Sequence, residues 1–426
     1  MQSENLLQKI NGFYRLKKND SDEQIHQSMQ EIIHLWPDVL AAGDRATDDE
    51  LFVFNVSRTV LFQVFTIAMS KEFFRKDSSL VRDIFFTCFN TMSNYANIFQ
   101  TSHSIYIESN IRLLLCISSS VTTTVIFEPN DFTNNHEQNL LIAIREYIDQ
   151  SQNYDDLTEG CVSLVWNLAD RTNLVPILLQ TGYAESVIKW VEQRKTKFPK
   201  QNGQAPIHIL HNLLRHDDGI DKFNELNTKA IVGELETDPD LCADDLIIYV
   251  TMIRALLSDY EQIKAETDRY PSEHVDTLVG FVFNATEDER YRFENSHLSE
   301  PLTILVKLFA NQQILDETFM DTETDLITIQ EFIKNLTDVF EKLYSKINVS
   351  KDLLDTYTCV AILNLFNYIF EHEIYQTKIE NTEQLLTILN KVIHDEFEYV
   401  DTFMPRTMKS IKEAAINIHK NFSKED

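Results

Sequence analysis

At 426 residues the chain exceeds the roughly 250–300 residues that one core usually serves, so it is either two domains or a stack of repeats. Its 8 Gly and 9 Pro are few, and no two glycines form G-x-G, which excludes a glycine-rich nucleotide loop and points to mostly helix. With 67 Asp and Glu against 38 Lys and Arg the formal charge is −29, which disfavours nucleic acid and anionic membranes and suits a basic or neutral protein or peptide partner.

The opening residues Met1-Gln2-Ser3-Glu4-Asn5 hold no basic segment followed by an apolar run, so export is not expected. Cys88, Cys116, Cys161, Cys242 and Cys359 are odd in number and form no C-x-x-C. They read as small buried side chains in a reducing compartment, and the expected location is the cytoplasm, with the nucleus open. Residues 1–150 read as an N-terminal helical part without a visible repeat. Phe52, Phe54, Phe62, Phe65, Phe73, Phe74, Phe85, Phe86, Phe89 and Phe99 crowd one stretch of it, at mixed spacings that suit packed helices. The apolar segments Leu51–Phe74 and Ile111–Phe127 are interrupted or too short for about 20 spanning residues, so they read as buried helices.

The clearest segment runs from Asp156 to Lys195. Thr158 stands where an N-cap would, and Cys161, Leu164, Val165 and Leu168 follow at i, i+3, i+4 and i+7, one buried stripe of a helix. Leu174-Val175-Pro176 restarts a short helix with proline in its first turn. Gly182 stops it, and Tyr183, Val187, Ile188 and Val191 mark a third helix that ends in Arg194-Lys195-Thr196-Lys197.

This segment resembles the armadillo repeat. Trp166-Asn167-Leu168-Ala169, Thr181-Gly182-Tyr183 and Val187-Ile188-Lys189-Trp190-Val191 match the family's third helix with its asparagine step, its glycine, and its second helix. The step recurs at Leu210-His211-Asn212-Leu213, Val282-Phe283-Asn284-Ala285 and Ile362-Leu363-Asn364-Leu365. The intervals, 212 − 167 = 45, 284 − 212 = 72 and 364 − 284 = 80, fit one unit and two pairs of units of about 40–47 residues. The missing units would centre near Ile253-Arg254-Ala255-Leu256-Leu257 and Ile333-Lys334-Asn335-Leu336. The resemblance implies an all-α fold, an armadillo-like right-handed helical solenoid, with armadillo-like repeats over 151–426. Joints between repeats are expected at Glu128–Asp131, Phe198–Gly203, Tyr270–Ser272 and Asp316–Asp325.

No catalytic signature appears: there is no G-x-S-x-G, no H-E-x-x-H and no Walker loop, and no enzymatic activity or cofactor is expected. Asp321-Thr322-Glu323-Thr324-Asp325 imitates a calcium loop but has Leu326 where glycine is needed and Phe332 where glutamate is needed. His208 and His211 share a helical face with His216 beyond it; a solvated groove histidine and a helix-end histidine near the dipole are the expectation there, not a metal site.

In the armadillo family the resemblance implies that Asn167, Asn212, Asn284 and Asn364 project into a groove and bond the backbone of an extended peptide, since an amide both donates and accepts. An asparagine capping its own helix or tying neighbouring repeats explains the residue equally well. Trp166, Arg171, His208 and His211 would lie beside Asn167 and Asn212. The import adaptors' tryptophan ladder is absent, because the only tryptophans are Trp36, Trp166 and Trp190. The expected function is a scaffold or adaptor that takes a peptide or helix of a partner. A solenoid that senses a small ligand and governs an effector domain, such as a TIR domain, is the alternative.

Overall fold

The structure, a computed structural model, describes residues 78–422, apart from 95, 100–104, 129–130, 199–202, 243–245, 294–295, 321–326, 351–352, 378–381 and 396–404, together with positions 8, 27 and 31. The readings made of Trp36, of Phe52 to Phe74 and of the Asp321–Asp325 run lie outside the described residues. By contact the chain divides into two compact units, residues 1–231 and 232–426.

In the first unit the main helices are α1 (Ser78–Ser93), α2 (Ile105–Thr122), α3 (Asn135–Gln150), α4 (Asp156–Ala169), α5 (Val175–Gln180), α6 (Tyr183–Glu192), α7 (Ala205–Leu214) and α8 (Asp217–Glu225). Helix α4 starts from Asp155, not Thr158: the Asp155 carboxylate accepts from the Thr158 backbone N–H at 2.8 Å and from its hydroxyl at 2.7 Å, a negative group at the positive helix end. Its expected stripe of Cys161, Leu164, Val165 and Leu168 is buried. Pro176 sits in the first turn of α5. Gly182 then turns the chain at φ 83°, a left-handed conformation that demands glycine, while a Cβ there would meet only the movable guanidinium end of Arg145.

These helices stack in two rows, α2–α4–α7 and α1–α3–α6. The rows are joined to themselves by hydrogen bonds between positions one repeat apart. Asn167 Nδ2 donates to the Ser119 carbonyl, 48 residues back, at 2.9 Å; Tyr183 Oη donates to the Leu141 carbonyl, 42 back, at 2.8 Å. Trp190 Nε1 donates to Asp149 Oδ1, 41 back, at 2.7 Å, and Arg215 Nη2 to the Asp170 carbonyl, 45 back, at 2.7 Å. A chain whose long-range bonds keep returning at one period is a solenoid, each unit burying its apolar face on the next. The period reaches back through Ser119 and Leu141, where the sequence shows no repeat. Phe85 and Phe89 are fully buried and pack against Phe127 and Phe132, the core use expected of that aromatic cluster.

The second unit holds α9 (Leu246–Leu257), α10 (Tyr260–Ala265), α11 (Ser272–Glu287), α12 (Ser299–Leu308), α13 (Gln312–Met320), α14 (Ile329–Ser350), α15 (Leu353–Phe370), α16 (Thr382–His394) and α17 (Pro405–Phe422). Its rows are α9–α12–α15–α17 and α11–α14–α16. The same kind of tie recurs, with Lys307 Nζ donating to the Leu256 carbonyl, 51 back, and Asn311 Nδ2 to Thr267 Oγ1, 44 back. Among the described residues the only sheet is a hairpin of two-residue strands, Arg292–Phe293 and Ser296–His297, a small exception to the all-helical expectation.

Candidate functional site

The four asparagines chosen from sequence fall in four different settings. Asn167, on α4, spends both donor hydrogens on the preceding repeat, one on the Ser119 carbonyl and one on its hydroxyl oxygen at 2.7 Å. Asn212, on α7, is 6% exposed. Asn284 is exposed but lies on α11, in the other row from Asn364 on α15, so the two do not line one face. The local step of bulky residues and asparagine is shared by both rows, and only packing decides which row a helix joins. Likewise Ile253–Leu256 belongs to the row of α15, whereas Ile333–Leu336 lies on α14, in the row of Asn284.

Beside Asn167, the half-buried Trp166 stacks on His208 of the next repeat, ring centroids 4.7 Å apart at 14°. Arg171 is half-buried. His211 is 1% exposed, so it is no solvated groove histidine. Burial, with Arg215 and His208 nearby, holds its imidazolium pKa well below the ordinary histidine value. The unfolded chain therefore binds a proton that the native chain refuses. Stability attributable to His211 is complete above the unfolded pKa of about 6.5 and is lost as pH falls below it, at up to about 1.4 kcal/mol per pH unit. Urea unfolding at neutral and mildly acidic pH should show a smaller pH dependence for His211→Gln than for the wild type; an equal dependence in both contradicts this assignment. His216 caps α8, its Nδ1 accepting from the Asp218 N–H at 3.1 Å. Among the described residues no group of three or more His, Cys, Asp or Glu is placed to hold a metal ion. Cys88, Cys161 and Cys359 are buried free thiols, and burial raises the Cys88 pKa to about 12.

Asn364 has a different environment. It lines a cleft of about 480 Å³ with Asn367 and Tyr368 of α15, Glu371 just past the end of that helix, Asn417, Lys420 and Asn421 of α17, Val306 of α12 and Tyr260 at the start of α10. Three consecutive helices of one row thus supply the floor. Side chains at 364 and 367 share one face of α15, with 371 following in the turn that ends it, and those at 417, 420 and 421 share one face of α17. The amides of Asn364, Asn367, Asn417 and Asn421 make no side-chain hydrogen bond among the described residues, in contrast to the amides of Asn167 and Asn311, which tie repeats together. Four side chains able to donate and accept therefore converge on open space. Tyr260 and Tyr368 pair at 6.3 Å and 44°, and burial together with this neighbour raises the Tyr368 pKa to about 12.

The sequence reading found Asn364 and missed the rest of the cleft. A usable signal existed on α15, whose interior is otherwise apolar from Cys359 to Phe370 apart from two amides three residues apart. Nothing comparable marks Tyr260 or α17, because their neighbours in space are about one repeat or more away in sequence.

Repeating helical units, two rows per unit and ties at one repeat period make the fold an armadillo-like helical solenoid. No protein-family model and no curated protein matches the chain. Among solved structures it is similar to one describing a phosphorylation switch in the interaction between cadherin and beta-catenin, at 12% identity and TM-score 0.49 over 98% of this chain and 86% of that one. It is also similar to the SYS-1/POP-1 complex, at 12% identity and TM-score 0.41 over 99% and 71%. A designed armadillo repeat protein matches at 9% identity and TM-score 0.26 over 77% and 98%. Identities this low concern the fold alone. No helix among the described residues is long and apolar enough to cross a membrane.

Proposed function

We propose that the chain is a non-enzymatic interaction scaffold whose cleft between α12, α15 and α17 holds an extended segment of a partner protein. The observation that carries this reading is the set of four uncommitted amides facing one cleft. A peptide backbone offers one donor and one acceptor per residue, which an amide matches without reading the side chain. A partner helix is disfavoured, since its own backbone groups are already bonded and its apolar stripe would meet a floor with Val306 as its one aliphatic side chain. The partner is basic or neutral: residues 232–426 carry 38 Asp and Glu against 17 Lys and Arg, a formal charge of 17 − 38 = −21.

Selection of peptides from a random display library against the full chain tests this. The enriched peptides should bind the wild type and lose roughly fivefold to a hundredfold in affinity to Asn364→Ala/Asn421→Ala, about 0.5–1.5 kcal/mol for each lost bond. Peptides that bind the double variant equally well, or no enrichment at all, would count against the cleft.

A further inference from the structure

One corner of the cleft carries a chemistry that the amides do not. Tyr368, in the last turn of α15, and Glu371, in the turn just past its end, stand three residues apart, and Tyr260 brings a second ring to Tyr368 from α10. Tyr260 is 42% exposed, Glu371 is exposed, and the Glu371 carboxylate has no ion pair or side-chain hydrogen bond among the described residues. The cleft's ammonium, Lys420, comes from α17 with Asn417 and Asn421 and forms no ion pair with Glu371. Two ring faces with an uncommitted carboxylate beside them, in a unit of formal charge −21, make a corner of consistent sign.

We propose that Tyr260, Tyr368 and Glu371 form a subsite for one cationic side chain of the bound segment, with arginine preferred to lysine. This rests on the peptide reading of the cleft. A guanidinium is planar and weakly hydrated, so it stacks on a tyrosine face while its N–H fork reaches a carboxylate; an ammonium is a strongly hydrated point charge that gains less from the rings. The amides then hold the backbone on either side, and Lys420 donates to a peptide carbonyl. The subsite fixes the register of a segment that the amides alone would bind in any register.

The probes are the tightest peptide enriched on the full chain, its analogues with each arginine replaced in turn by citrulline, which keeps the shape without the charge, and the corresponding lysine analogues. One citrulline analogue should bind roughly threefold to twentyfold more weakly than the parent, with the lysine analogue between them. Glu371→Gln and Tyr260→Ala should weaken the parent by a similar factor and hardly affect that citrulline analogue. Asn421→Ala should weaken both peptides alike. Both substituted positions are exposed, and a melting curve equal to that of the wild type confirms that each variant is folded. Equal affinity for parent and every citrulline analogue, or equal loss of both peptides in Glu371→Gln, overturns the subsite. Enriched peptides without a common cation that still depend on Asn364 and Asn421 overturn the subsite and leave the peptide reading standing; peptides indifferent to both asparagines overturn both.

Discussion

Replacing Trp190 by alanine should destabilise the first unit by about 3–5 kcal/mol, the range for deleting a large buried aromatic side chain. The indole is fully buried between α6 and α3, edge-on to Tyr183 with centroids 6.1 Å apart at 82°. Its Nε1–H donates to Asp149 Oδ1 at 2.7 Å while the Ser186 hydroxyl donates to Oδ2 at 2.7 Å, so one carboxylate receives two donors from the next repeat. Alanine removes the packing and leaves Oδ1 of a half-buried carboxylate without its donor. Trp190→Phe keeps most of the ring volume and loses the donor, so it should cost about 1–3 kcal/mol. Urea unfolding followed by circular dichroism reads both losses. In a solenoid the effect should fall on the transition of the unit that contains the residue; a cost under about 1 kcal/mol for the alanine variant would mean that this repeat junction is not held by the indole.

Arg254→Ala should cost the second unit about 3 kcal/mol or more. The Arg254 side chain is only 7% exposed, and its guanidinium pairs with both oxygens of Glu236, at 2.7 Å for Nη2, and with Glu266 at 3.2 Å. Arg269 adds a looser contact to Glu236 at 3.6 Å. Removing one partner of such a cluster costs about 3–5 kcal/mol because the remaining charge is left poorly compensated, here the 15% exposed Glu236. Glu236→Gln in the Arg254→Ala background should restore part of the loss, since it removes the stranded charge, whereas alone it should destabilise. Additive effects of the two substitutions would show that the pair is not energetically coupled.

The segment from α4 to α6 is legible because each boundary has a local cause: a buried stripe of period 3.6, Pro176 in a first turn, Gly182 at positive φ. Even there Thr158 and Asp155 could exchange roles on sequence alone, since either side chain can cap. Row membership is not local. Phe283-Asn284-Ala285 and Leu363-Asn364-Leu365 look alike, yet α11 and α15 lie in different rows because of the helices packed on each. The cleft is less legible still. Its lining side chains come from around positions 260, 306, 364 and 417, more than one helix apart at every step, and no short motif spans them. The sequence also could not distinguish an amide that ties repeats, such as Asn167, from one that faces open space, such as Asn364, because the difference is whether a Ser119 carbonyl lies within 2.9 Å.

That difference gives the most direct measurement of the central claim, melting temperature and peptide affinity determined together on Asn364→Ala/Asn421→Ala and on Asn167→Ala. The cleft variant should keep its melting temperature and lose roughly fivefold to a hundredfold in affinity for an enriched peptide, because it deletes only unbonded groups on a solvated face. Asn167→Ala should melt lower, by the loss of a repeat tie of about 1 kcal/mol, and bind the peptide normally. A cleft variant that melts lower and binds normally would contradict the account.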